Sequence, residues 1–151
     1  MQLSVLGYAH PGVEQGEDYD PYHEDFLVIK IEVATPRGSW KATKPALLTM
    51  EARELSKWLG MVAIGADLGD NLEFFDPLLY FEYGAERNGI VTLRIGFGLE
   101  FRPPWAEAHQ VDAQDHLFEF EVSSADLKVA STSLSADLER FPTRWKPSRT
   151  A

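Results

Sequence analysis

Cysteine is absent from the chain. Disulfides, thiolate metal ligands and cysteine nucleophiles are therefore excluded, and the composition suits a reducing, cytoplasmic location. No apolar run approaches the roughly 18 residues of a membrane span, and the stretch from Met1 to Tyr8 lacks the basic flank and long apolar segment of a secretory signal. Positive charge is scarce: 14 Lys and Arg stand against 24 Asp and Glu, a net charge of −10. A field of that sign repels nucleic-acid phosphate and anionic lipid, so neither is an expected partner. It serves solubility, or it steers a basic protein toward the surface.

Catalytic signatures are missing as well. There is no Gly-x-Ser-x-Gly elbow, and His10, His23, His109 and His116 are not paired at the spacings of compact metal motifs. Surface or loop histidines are the expected reading. His23-Glu24-Asp25, joined by Asp18 or Asp20, is the one cluster that could gather on a metal, but a solvated loop explains it more simply. Gly96-Phe97-Gly98 lies within a strand pattern and fits a close neighbour or a bend better than a phosphate cradle. The expectation is a protein with no catalytic residues, no metal and no cofactor.

What is present is the patterning of a folded domain. The 151 residues are 44% hydrophobic, and a chain of this length can bury about 68–70% of its unfolded surface. A first strand is expected around Leu3 to Tyr8. Leu27, Ile29, Ile31 and Val33 alternate with polar neighbours, and Thr35-Pro36-Arg37-Gly38 turns that strand back through Trp40. With Thr49 as N-cap and Glu51 in the first turn, Leu55, Trp58, Leu59 and Val62 predict a helix over 50–64. Strands follow over 71–75 and 78–83, interrupted at Asp76-Pro77, the proline suiting an edge or a bulge.

Asn88-Gly89 is hairpin chemistry. Val91, Leu93, Ile95, Phe97, Leu99 and Phe101 then share one parity and predict a long strand stopped by Pro103-Pro104. Phe118, Phe120 and Val122 mark the last strand. Ser123 or Ser124 caps a second helix with its stripe at Leu127, Ala130, Leu134, Leu138 and Phe141 and with Ser131 as a small core neighbour. Short turns and only two helices argue against a parallel βαβ order. The expected fold is α+β: one curved antiparallel sheet of six to seven strands with both helices on one face. It forms a single domain over 1–151, with a folded core over 1–145 and a frayed tail over 146–151.

Between Val13 and Asp25 the chain carries Glu14, Glu17, Asp18, Asp20, Glu24 and Asp25, interleaved with Tyr19 and Tyr22 and free of lysine and arginine. Carboxylates steer a basic partner and rings supply rigid contact area, so these eight residues are the candidate partner-binding set; a solvated loop is the plainer alternative. Trp105 is a further candidate anchor, although an indole closing the core explains it more simply.

A set of landmarks in order along the chain resembles the WapI-like family of small bacterial immunity proteins, which accompany cell-wall-associated polymorphic toxins. They are Gly7-Tyr8, Tyr22 to Leu27, Gly38-Ser39-Trp40, Pro45 to Thr49, Trp58-Leu59, Phe75-Asp76-Pro77, Leu99 to Trp105, and Phe141-Pro142-Thr143-Arg144. The chain departs from the family pattern at His23, Asp25 and Phe26, where Asp, Asn and Trp are favoured, and at Ala46, where a cysteine is. The resemblance implies a non-enzymatic protein that binds and neutralises a cognate toxin domain, often a nuclease, with no catalytic residues to carry over. Two other readings stand beside it. One is a module that binds a small molecule or a protein between sheet and helices; the other is a metal-dependent hydrolase using loop carboxylates.

Overall fold

A computed structural model describes residues 1–10, 24–66 and 71–144. The α+β class is as expected, but the seven strands form two antiparallel sheets, not one. The first sheet has the order β1-β2-β3, from Gln2–Tyr8, Phe26–Thr35 and Gly38–Leu48. The second has the order β4-β5-β6-β7, from Asn71–Leu72, Leu79–Arg87, Ile90–Phe97 and Leu117–Ser123. Each sheet runs straight into a helix: β3 into α1 (Thr49–Ala63) and β7 into α2 (Ser124–Arg140).

The physical reason for two sheets lies in the Trp40 indole. It stands between β3 and the second sheet, with its ring centroid 5.2 Å from that of Phe97 on β6 and 5.7 Å from that of Phe118 on β7. Side chains fill that space, so the backbones do not approach to the roughly 4.8 Å of a hydrogen-bonded ladder. Alternation in sequence reports only that one face of a strand is buried, which is equally true of one curved sheet and of two facing ones. Ile29, Ile31 and Leu47 of the first sheet and Val91, Leu93 and Phe97 of the second belong to one continuous core.

The two hairpin turns are where the sequence puts them. Thr35 pairs with Gly38, and Asn88 and Gly89 take φ of 53° and 78°, the positive pair that Asn-Gly favours. Three expectations need correction. β6 ends at Phe97 rather than Phe101, because Leu99 takes φ 48° and begins a 3-10 turn over Leu99–Phe101. The close neighbour expected at the glycine pair is the segment at Ala113, together with Pro77 at Gly98. A Cβ at Gly96 would lie 2.9 Å from the carbonyl carbon of Ala113, and one at Gly98 would lie 2.7 Å from the Ala113 nitrogen and closer still to the Pro77 oxygen. The strand over 71–75 shrinks to Asn71–Leu72, and Pro77 sits in the turn before β5 rather than at an edge or bulge.

The third correction concerns the start of α1. Leu48, not Thr49, is the N-cap, and the polar capping group is the side chain of Glu51. Its Oε1 accepts the Leu48 amide at 2.9 Å and its Oε2 accepts the Phe75 amide at 2.7 Å, joining the helix start to the loop after β4. Burial pushes the Glu51 carboxyl above the ordinary range, against the two amides that pull it down, and Glu54 and Asp76 add to the rise. A carboxyl raised on folding contributes stability fully below its unfolded pKa of about 4.3, and loses that contribution as pH rises through the folded value. The stability of wild type minus that of Glu51→Gln should therefore fall as pH is raised from about 4 toward neutrality. Denaturant melts across that range check this, and a constant difference would contradict it.

The helices pack on each other as well as on the sheets. Ser56 Oγ donates to the Ser131 carbonyl at 2.8 Å, and Ser131 Oγ donates to the Ser56 carbonyl at 2.6 Å. A Cβ at Gly60 would lie 2.8 Å from Ser131 Oγ, so small residues set the approach. Ser123 caps α2 as expected, accepting the Asp126 amide at 3.0 Å. Leu127, Leu134 and Leu138 are buried, but Ala130, expected in the same stripe, is exposed. The tail over 146–151 lies outside the described residues.

Candidate functional site

Of the eight candidate partner-binding residues, Glu14, Glu17, Asp18, Tyr19, Asp20 and Tyr22 lie outside the described residues, as does His23 of the cluster considered for a metal with Asp18 or Asp20. Glu24 and Asp25 are described, and they are buried, with 8% and 3% exposure. They form the base from which the acidic stretch departs. Chain geometry explains the burial: the Phe26 carbonyl accepts the Ala9 amide at 2.8 Å and the Asp25 carbonyl accepts the Thr49 amide at 2.9 Å. Backbone on both sides of the base is thereby tied to β1 and to the start of α1.

The C-terminal segment closes this base. The Arg144 amide donates to Asp25 Oδ1 at 2.6 Å; its Nε donates to the Glu24 carbonyl at 2.9 Å, and an Nη2 hydrogen bond reaches the His10 carbonyl at 3.0 Å. Nη2 also donates to the Glu24 carbonyl. The guanidinium lies 3.7 Å over the Tyr8 ring, whose hydroxyl donates to the Pro142 carbonyl and whose edge meets Phe141 at 5.6 Å. Burial raises the Tyr8 phenol above its ordinary pKa, Arg144 opposing and Asp25 assisting. Thr49 and Thr143 share a hydroxyl contact of 2.8 Å. Residues on both flanks of the acidic stretch, His10 and Glu24, are thus held by one side chain.

Four of the sequence landmarks meet at this clamp: Tyr8, Glu24 to Phe26, Thr49, and Phe141 to Arg144. A second group meets at the far end of β3. Trp105 stands 5.4 Å from Trp40, Gly38 lies close beneath the Trp105 ring, Arg37 stacks 5.1 Å over that ring, and the Trp40 indole N–H donates to the Phe101 carbonyl at 3.1 Å. Trp105 is half-buried there.

Among the described residues no three His, Asp or Glu side chains stand close enough together to hold a metal. His116, expected at the surface, is buried at 6% exposure with its Nε2 3.0 Å from the Gln110 carbonyl; nothing in its sequence neighbourhood announces this. No described helix is long and apolar enough to cross a membrane. The clamp holds the backbone at His10, Glu24 and Asp25 rather than positioning a reactive group.

No curated protein and no solved structure matches the chain significantly. A family model described as the Immunity protein WapI-like family matches residues 1–142. That span covers nearly every element described above, and membership supports an immunity function: the chain belongs to the WapI-like immunity protein family.

Proposed function

We propose that this protein binds and neutralises a cognate toxin domain, without catalysing a reaction, by covering a basic surface of the toxin with its own acidic one. The family match over residues 1–142 carries the reading. The net charge of −10 supports its electrostatic part. Glu14, Glu17, Asp18, Tyr19, Asp20 and Tyr22 supply the charges and rings that meet the partner, while Glu24 and Asp25 fix the base of that segment against Arg144. A toxin whose substrate is nucleic acid fits best, since its substrate groove is basic and carboxylates imitate the phosphates that it binds.

Charge steering makes a salt prediction. Association with the toxin domain encoded beside this chain should slow at least tenfold between about 50 mM and about 500 mM NaCl, with a much smaller change in dissociation. Stopped-flow mixing measures both rates. Co-expression should also restore growth to cells making that toxin domain. Absence of rescue together with absence of a complex at low salt would end the proposal.

A further inference from the structure

The core is incomplete between β1 and β7. Among the described residues these strands are the free edges of their sheets, β1 in the order β1-β2-β3 and β7 in the order β4-β5-β6-β7, and no ladder joins them. Their inward side chains, Leu3 on β1 and Phe120 and Val122 on β7, are only half-buried. Beneath them lies a cleft of about 300 Å³ whose floor includes the buried Leu55, Phe81, Leu93 and Leu127. Ala130 explains why it stays open: it falls on the core-facing stripe of α2, yet its methyl is too small to close the gap, and it remains exposed on the rim.

The rim is acidic on balance. Glu121 and Asp137 border the apolar floor, Met1 lines it as well, no described lysine or arginine does, and neither carboxylate has an ion-pair partner among the described residues. Glu119, two residues before Glu121, shows the contrast, being paired to Arg94 at 3.9 Å. Carboxylates without counter-ions beside apolar surface complement a cation carried on an apolar segment. A volume at the lower limit of the about 300–1,000 Å³ typical of small-ligand sites is the size for a side-chain anchor rather than a whole cofactor. A second copy of this chain would bring the same negative field and be repelled.

We infer that this cleft anchors the toxin, taking one large apolar side chain from a segment that carries a lysine or arginine next to it. The inference rests on the toxin-binding reading and gives it an apolar hot spot that net charge alone does not supply. The test measures affinity for the toxin domain encoded beside this chain, by titration calorimetry, for wild type, Ala130→Trp, Asp137→Lys and Glu100→Lys. Ala130→Trp fills the mouth from an exposed helix position. Glu100→Lys changes charge by the same amount as Asp137→Lys, but on the 3-10 turn outside the cleft.

The expected result is at least tenfold weaker binding for Ala130→Trp and Asp137→Lys, and less than threefold for Glu100→Lys, with all melting temperatures near wild type. Should Ala130→Trp prove unfolded, the comparison of the two lysine variants decides. Wild-type affinity in a folded Ala130→Trp, or equal losses for the two lysine variants, would overturn the inference while leaving the function standing. If wild type itself forms no complex, the functional reading fails and takes the anchor with it.

Discussion

Replacing Trp40 with alanine lowers the free energy of unfolding by about 2–4 kcal/mol, somewhat below the range for a fully buried aromatic because the indole is half-buried against the core. In a domain of this size that is a fall in Tm of roughly 4–16 °C. The reason is position rather than size alone. One indole makes edge contacts with Phe97 and Trp105 and a tilted contact with Phe118, so it is shared by the first sheet, the second sheet and the loop after Pro104. Alanine leaves a void that three rings border, and the Phe101 carbonyl loses its donor. Trp40→Phe keeps most of the packing and gives up the hydrogen bond, so its cost is about 1 kcal/mol beyond the lost ring area. Guanidinium melts of both variants measure this. A loss below about 1 kcal/mol for the alanine variant would mean that the sheets are held together elsewhere.

Arg144→Ala should cost about 2–3 kcal/mol, the scale of charge-assisted hydrogen bonds combined with stacking of a cation on a ring. Its guanidinium serves the Glu24 and His10 carbonyls and covers Tyr8, while the backbone bond to Asp25 survives the substitution. Arg144→Lys should recover only part of the loss, because an ammonium lacks the planar fork that reaches two carbonyls at once. The signature is local. Amide exchange should accelerate at Ala9 and Thr49, whose partners are the Phe26 and Asp25 carbonyls, before it does so in β5 or β6. Unchanged exchange at those two amides would show that the clamp does not hold the base of the acidic segment. On the proposed function, toxin affinity should fall with it, since Glu24 and Asp25 would no longer be held in place before binding.

Much of this architecture is legible in the residues. Hairpin turns are written in Pro36 to Gly38 and in Asn88-Gly89, the latter at a backbone of positive φ that few other residues accept. Both helices are written in their apolar spacing, and the Ser123 cap in its hydroxyl. The departures come where a tertiary neighbour overrides a local pattern. Leu99 and Phe101 continue the parity of β6, yet the chain leaves the strand at Gly98, where the Ala113 and Pro77 backbones lie too close for any side chain, and turns at Leu99 with φ 48°. Thr49 has the side chain of an N-cap but is fully buried, with its hydroxyl turned to Thr143. Two facing sheets and one curved sheet leave the same alternation in a sequence, and the Trp40 contacts that separate the alternatives join residues 57 to 78 apart in the chain.

The site is less legible than the fold. The acidic character of 13–25 is plain from composition, but the closing role of Arg144 is not, because it depends on a backbone meeting between residues more than a hundred positions apart. The cleft at Ala130 was hidden for the opposite reason. A small apolar residue in a helical stripe reads as core, and only the positions of β1 and β7 reveal that no described residue covers it.

Each sheet is a meander whose strands pair with their immediate predecessors, and each meander hands over to a helix without an intervening loop. The tight hairpins β2–β3 and β5–β6 form in about 1–10 μs because little loop entropy opposes them. The expensive encounter is the later one, when two prefabricated halves meet through Trp40 and the Ser56–Ser131 pair. Refolding speed is thus governed by a seam rather than by either half, and substitutions along that seam should slow the acquisition of the native state more than equally destabilising ones at the hairpin tips.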